Sequence, residues 1–164
     1  MKVGRVLSLL SAVLSLSMPA LAQEPDDIVR WTARPATTRA PAPGQKVTVL
    51  LAAKIAPGWH VYSITQEPGG PIRTDVSVPP GQVFTLTGDV TGPVPETAFD
   101  PNFRMKTEYY SRSVILDVPL SVSEEAKAGP AKGTIDVRFQ ACNDRNCLPP
   151  IKVHVPFTVE LASR

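Results

Sequence analysis

Along most of this chain apolar side chains recur at every second position, the period of a strand whose two faces meet different surroundings. Val47, Val49, Leu51, Ala53 and Ile55 take one side of a segment whose other side carries Thr48 and Lys54. Ile135, Val137, Phe139 and Ala141 alternate with Asp136, Arg138 and Gln140. Ile151, Val153, Val155, Phe157 and Val159 alternate with Lys152, His154, Thr158 and Glu160. Half-buried strands are predicted there, and weaker alternation marks residues 28–33, 59–64, 72–78, 82–87 and 109–122. Turn signals fall between them: Ala42-Pro43-Gly44, Pro57-Gly58, Pro68-Gly69-Gly70-Pro71, Pro79-Pro80-Gly81 and Gly129-Pro130. Residues 32–45, rich in Pro, Ala and Thr, read as a loop or extended edge, and only residues 123–128 read as helical. Roughly seven to nine short strands punctuated by Pro and Gly predict an all-β, immunoglobulin-like β-sandwich.

The amino-terminal segment departs from this pattern. Lys2 and Arg5 precede an apolar run over residues 6–16, and Ala20-Leu21-Ala22 follows. A charged start, an apolar centre and a small-x-small site describe a secretory signal, so residues 1–22 are expected to be removed and residues 23–164 to form one domain. The run is too short for a resident membrane helix, and no cysteine at the cleavage point suggests a lipid anchor. A soluble, exported protein without membrane insertion is expected. Lys2 and Arg5 account for the formal charge of +2, which leaves residues 23–164 formally neutral. No basic run or aromatic-rich basic patch remains, which argues against nucleic acid as a partner.

Candidate chemistry concentrates in one stretch, FQACNDRNCLPP, residues 139–150, which holds both cysteines of the chain. Cys142 would end one strand, residues 143–146 would turn, and Cys147 would precede the next strand. A hairpin can bring the two Cα atoms within the roughly 5.5 Å that a disulfide prefers. Three readings stay open on these residues alone. A structural staple is the plain one, although a loop of this length removes on the order of 2 kcal/mol of unfolded-state entropy, less than a long loop would. A metal site would need more ligands, and the only histidines, His60 and His154, belong to no ligand pair. No metal and no cofactor is expected. A redox couple fits a short exposed loop, where a sulfur is accessible to a thiolate. Arg145 would favour that thiolate and Asp144 beside it offsets the charge.

FQACNDRNCLPP, followed by a strand of alternating valines, resembles the active-site hairpin of the amino-terminal periplasmic domain of the thiol:disulfide interchange protein DsbD. That family's pattern is an aromatic, Gln, a small residue, Cys, a short Asn/Asp-containing loop, Cys and a Pro pair. PGWHVY, residues 57–62, with Gly69-Gly70-Pro71 after it, resembles the family's strand of aromatic side chains flanking the cysteines. NFRMKTEYY, residues 102–110, resembles its cap loop and the strand leaving it.

The resemblance implies an immunoglobulin-fold redox domain in which Cys147 exchanges with partner proteins and Cys142 resolves. Phe103, within a cap over residues 102–106, would shield the pair, and Tyr62 would lie beside it. His60 stands where some members carry a tyrosine; it would accept a proton from a departing thiol, or be an ordinary strand histidine. Trp59, Tyr109 and Tyr110 have core or cross-strand explanations. The acid that often adjoins the cap aromatic is not adjacent here, and Asp100 is the nearest. Full-length members continue into a membrane electron carrier and a thioredoxin-like domain, whereas this chain ends at Arg164. The implied activity is that of a detached periplasmic thiol-disulfide oxidoreductase, a relay of the protein-disulfide reductase type. Its partners would be a thioredoxin-like domain or a DsbD- or CcdA-type membrane electron carrier on one side. On the other would stand exported disulfide proteins such as isomerases, cytochrome c maturation factors or copper-stress proteins. The alternative is an immunoglobulin-like binding or assembly module with a structural hairpin disulfide.

Overall fold

The computed structural model describes residues 25–163, so the signal expected over residues 1–22 lies outside the described residues. One helical turn, α1 (Pro25–Ile28), leads into β1 (Val29–Pro35), and everything after it is strand or turn. The strongly alternating segments build the centre of the fold. β2 (Lys46–Ile55) pairs antiparallel with β1 and with β8 (Ser113–Val122), whose far side takes β5 (Phe84–Leu86). A second ladder joins β9 (Gly129–Phe139) to β11 (Ile151–Leu161) on one side and to β4 (Asp75–Ser77) on the other. The third holds β10 (Ala141–Cys142), β3 (His60–Tyr62), β7 (Met105–Ser111) and β6 (Glu96–Asp100), in that order. The result is the immunoglobulin-like β-sandwich that the alternation predicts, with β1 lying against β11 at one side. Among the described residues no helix is long and apolar enough to cross a membrane.

The inward faces meet as expected from the period of two. Val49, Leu51, Leu116, Val118, Ile135 and Val137 are fully buried in one cluster, with Phe139, Val155 and Phe157 close behind. Packing is tight enough to dictate a residue type. A Cβ on Gly133 would come within 2.4 Å of the Phe157 ring and 2.8 Å of Phe84, so only glycine lets that aromatic pair cross β9.

Two strands change ladders in mid-course. The segment 109–122, predicted as one strand, breaks at Arg112, whose φ of 62° turns the chain from β7 into β8. The Arg112 carbonyl accepts the Ile55 N–H at 2.8 Å, so the corner is hydrogen-bonded to β2. Residues 134–141, also predicted as one strand, divide at Gln140 between β9 and β10. Gln140 stitches that break: its Oε1 accepts the Ile72 N–H at 2.9 Å and its Nε2 donates to the Leu148 carbonyl at 3.2 Å. Such corners are how sandwiches pass a strand from one sheet to the other.

Three local expectations are corrected. Residues 123–128 form a turn, not a helix: the Ser123 hydroxyl accepts the Glu125 N–H and its carbonyl the Ala126 N–H, and the short connection leaves no room to propagate. Gly129 and Pro130 open β9 instead of turning, with Gly129 at φ 106°. β6 was not predicted at all, because four of its five residues are exposed and no apolar alternation marks them.

On the outer side of β9 and β11, where polar residues were expected to be solvated, Asp136 is only 6% exposed. Lys152 Nζ lies 2.6 Å from one of its oxygens and His154 Nδ1 2.6 Å from the other. Hydrogen bonding from Lys152, aided by His154 and opposed by burial, holds this carboxyl below its usual range. A carboxyl depressed in the folded state contributes stability that is present above its unfolded value, near about 4, and lost as pH falls through the folded value. Asp136→Asn should therefore lower the unfolding free energy at pH 7 by about 1.5 kcal/mol in urea titrations, with the deficit shrinking as the pH falls below the ordinary carboxyl range. An equal deficit at pH 7 and in that acid range would deny the carboxylate this role.

Candidate functional site

The cysteine hairpin forms where β10 turns back toward β11. Asn143 starts the turn and explains its own residue type: its Oδ1 accepts the N–H groups of Arg145 at 2.9 Å and Asn146 at 2.8 Å. The Asn143 N–H reaches the Asn146 carbonyl and the Leu148 N–H reaches Ala141, so the turn is closed on both sides. Cys142 and Cys147 face each other across this ladder, 4.0 Å apart at Cα, and are joined as a disulfide. Cys142 is fully buried, yet it is not part of the hydrophobic core cluster, and Cys147 is half-buried.

Register places the remaining side chains. Cys142 pairs with His60, Tyr62 pairs with Tyr109, and β7 pairs onward with β6. Directly opposed residues share a face, so Cys142, His60, Tyr62, Tyr109, Thr107 and Asp100 all lie on the outward side of one sheet. Val61 and Tyr110, their chain neighbours, point into the core. His60 meets Tyr62 edge-on at 5.2 Å between ring centres and Tyr109 at 5.0 Å.

An outward face would normally be wet, but Tyr62 is fully buried. The cover is the turn between β6 and β7, residues 101–104. Phe103 packs edge-on against Tyr62 at 5.9 Å. Asp100 ties this turn down. Its Oδ2 accepts the Tyr62 hydroxyl at 2.6 Å, and its Oδ1 accepts the N–H groups of Asn102 at 2.8 Å and Phe103 at 3.4 Å. Its carbonyl takes the Arg104 N–H at 2.7 Å, and Arg104 reverses the chain at φ 56°. Asn102 Nδ2 then donates to the Asn143 carbonyl at 3.4 Å, which joins the cap turn to the cysteine turn. At the base of the cap the Met105 sulfur lies over Gly70, where an added Cβ would meet it at 2.3 Å.

Electrostatics follow from this enclosure. Burial, with the hydrogen bond to Asp100 and its charge adding, raises the Tyr62 hydroxyl far above the usual phenol range, so it stays a donor. Burial also lowers the His60 pKa, against the opposing pull of Asp100, Asp144 and Glu96, so the imidazole is neutral at pH 7.

The structure thus brings Cys142, Cys147, His60, Tyr62 and Phe103 to one place. The expected cap of residues 102–106 is shorter than predicted, because Met105 and Lys106 already belong to β7. Asp100, nearest acid in sequence but not adjacent to Phe103, reaches it through the turn. The signal was present in Asp100-Pro101-Asn102, since an aspartate opening a turn bonds the N–H two residues on. Tyr109 was given a cross-strand role and has one, but on the cysteine side; with Tyr110 in the core, alternation requires it. Beside the cap lies a cleft of about 280 Å³ that begins at Asn102, Asn143 and Asp144 and continues past His60 and Tyr109.

Comparison with known proteins returns the same picture. No curated protein matches the chain in sequence. Among solved structures it is similar to the N-terminal periplasmic domain of ScsB from Proteus mirabilis, with 20% identity and a TM-score of 0.51, covering 85% of this chain and 49% of that one. The chain therefore spans about half the length of that structure. A further structural match is ACE19, the collagen binding subdomain of the Enterococcus faecalis surface protein ACE, at 9% identity and a TM-score of 0.32, covering 85% of this chain and 99% of that one. The family of the N-terminal domain of the thiol:disulfide interchange protein DsbD matches residues 30–158. That span takes in both cysteines, the aromatic strand beneath them and the turn that covers it, and the chain belongs to the DsbD N-terminal family.

Proposed function

We propose that this domain, residues 23–164 after removal of the leader 1–22, is a periplasmic thiol-disulfide exchange module that passes electrons through Cys142 and Cys147. The observation that carries the reading is the difference in burial across one bond: Cys147 is half-buried at the mouth of the hairpin, and Cys142 is sealed beneath it. The two residues are already paired through the turn's hydrogen bonds, so a cross-link there adds little to the fold.

Exchange proceeds as two displacements. A partner thiolate attacks the Cys147 sulfur, forming a partner–Cys147 disulfide and releasing Cys142 as a thiolate that takes up a proton. The partner's second thiolate then attacks its own sulfur, leaving Cys147 as a thiolate and the partner oxidised. With a disulfide substrate the sequence reverses: the Cys147 thiolate attacks, and Cys142 resolves the mixed disulfide. The donor would be a thioredoxin-like domain or a DsbD- or CcdA-type membrane carrier. The acceptors would be exported disulfide proteins such as isomerases, cytochrome c maturation factors or copper-stress proteins. When the reduced protein reacts, neutral His60, in register with Cys142, would accept the proton of Cys142 as it becomes the resolving thiolate, and Phe103 would limit access until a partner displaces the cap.

Reduction should be possible without unfolding. A reduction potential well below about −300 mV against glutathione or thioredoxin, or collapse of the fold on reduction, would leave the bond a structural staple. Cys142→Ser should accumulate a mixed disulfide with a thioredoxin-like donor, and Cys147→Ser should not; non-reducing gels read the outcome, and the reverse pattern would swap the two roles.

Phe103→Ala should speed reduction of the oxidised protein by dithiothreitol roughly tenfold, because access changes while the thiols do not. Equal rates would remove the cap from the mechanism. A stability loss of about 3 to 5 kcal/mol would instead mark Phe103 as core.

The pH dependence tests His60. Its pKa lies below 6.5, so protonation withdraws the acceptor only under more acidic conditions. The reduced protein's exchange rate should lose an extra factor of about ten below that pH, beyond the loss of thiolate, and His60→Phe should abolish this additional limb. An identical profile in the variant would return His60 to an ordinary strand position.

A further inference from the structure

We propose that the cleft beside the cysteine hairpin is a subsite for one basic side chain, lysine or arginine, carried by the exchange partner near its reacting cysteine. The proposal rests on the exchange reading above and adds to it what kind of partner surface is selected. Position comes first. The cleft opens where the cap turn meets the cysteine turn, at Asn102, Asn143 and Asp144. A partner whose sulfur is bonded to Cys147 runs its flanking residues past Asn143 and Asp144, so a side chain within a few residues of the sulfur reaches the part of the cleft lined by Glu96, Tyr109 and Asp144, which remains when the cap turn parts.

Size decides between a side chain and a free ligand. About 280 Å³ lies at the small end of ligand pockets and is open to solvent, which suits one side chain delivered by a docked partner. Charge decides which side chain. The ionisable groups on the cleft are Glu96, Asp100, Asp144, Arg112, His60 and Tyr109. Asp100 is committed to Tyr62 and the cap turn, and His60 is neutral at pH 7. Glu96 and Asp144 are exposed, Glu96 accepting a hydrogen bond from Ser111, and Arg112 offsets one of the three carboxylates. The remaining excess is negative. The walls include the half-buried rings of Tyr109 and Trp59, which favour a cation over an anion or a plain alkyl chain. Thr107, only 2% exposed, also lines the cleft.

The test uses the oxidised full-length protein and three short peptides, each with one cysteine, identical except for Lys, Gln or Glu two residues from it. Reduction rates are normalised to the thiolate concentration of each peptide. The Lys peptide should react roughly fivefold faster than the Gln peptide and the Glu peptide more slowly than both, with the spread narrowing in high salt. In Glu96→Gln/Asp144→Asn the Lys-to-Gln ratio should fall to about one, and Glu96→Lys should turn the preference toward the Glu peptide. Equal rates in the wild type would overturn the subsite while leaving exchange intact. So would a preference that survives in the double variant, since its source would lie elsewhere. If neither the peptides nor a thioredoxin-like donor opens the disulfide of the folded protein, the exchange reading itself fails and the subsite with it; if the donor opens it and none of the peptides does, the subsite alone is overturned.

Discussion

A strand that leaves one sheet must hand its backbone N–H and C=O groups to the next, because unpaired groups cost too much where water is excluded. This requirement governs where the chemistry lies. β9 is paired with β11 along its whole length and with β4 from Asp136 to Arg138, and where it ends Gln140 supplies one acceptor and one donor across the gap. Two residues later comes Cys142, already paired with His60 of a different ladder. The second crossing, at Arg112, delivers β7 to the same ladder from the other side. Both crossings are needed to set a cysteine, a histidine and two tyrosines on one outward face, and the core strands serve as their rigid backing.

What distinguishes that face from ordinary sheet surface is a single carboxylate. Asp100 is 5% exposed and uses both oxygens, one for the Tyr62 hydroxyl and one for the turn above it. Hydrogen bonds to a charged acceptor are stronger than neutral ones, and each contributes about 1.5–3 kcal/mol. The cap is therefore anchored at its root while its tip touches the cysteine turn through one long bond from Asn102. A cover built in this way is held firmly over Tyr62 and only loosely to the cysteine turn.

The sandwich was legible in the sequence because its core strands obey the period of two without exception on the buried side; Val47 through Ile55 is the clearest case. The cysteine hairpin was legible through its spacing and its Asn143 turn. β6 was not, since an edge strand with four exposed residues has no apolar face to print in the sequence. Nor were the crossings at Arg112 and Gln140: the apolar phase of Tyr110 resumes at Val114 after one arginine and that of Phe139 continues at Ala141, and nothing periodic distinguishes a strand that keeps its neighbours from one that exchanges them. Asp136 escaped for the opposite reason. A charge on the polar face reads as solvated, and its burial depends on Lys152 and His154 one strand away, at positions fixed only by register.

The unequal burial of the two sulfurs has a consequence for oxidative damage. A thiolate that meets peroxide becomes a sulfenic acid, and a second oxidation makes the loss irreversible. In this hairpin the sulfur open to peroxide is Cys147, and its neighbour Cys142 stands directly across the ladder, fully covered. A sulfenic acid formed on the outer residue has a protected thiol beside it and condenses to the disulfide, which is the resting oxidised state. The geometry proposed above for exchange would thus also return an accidental oxidation of the outer sulfur to the disulfide.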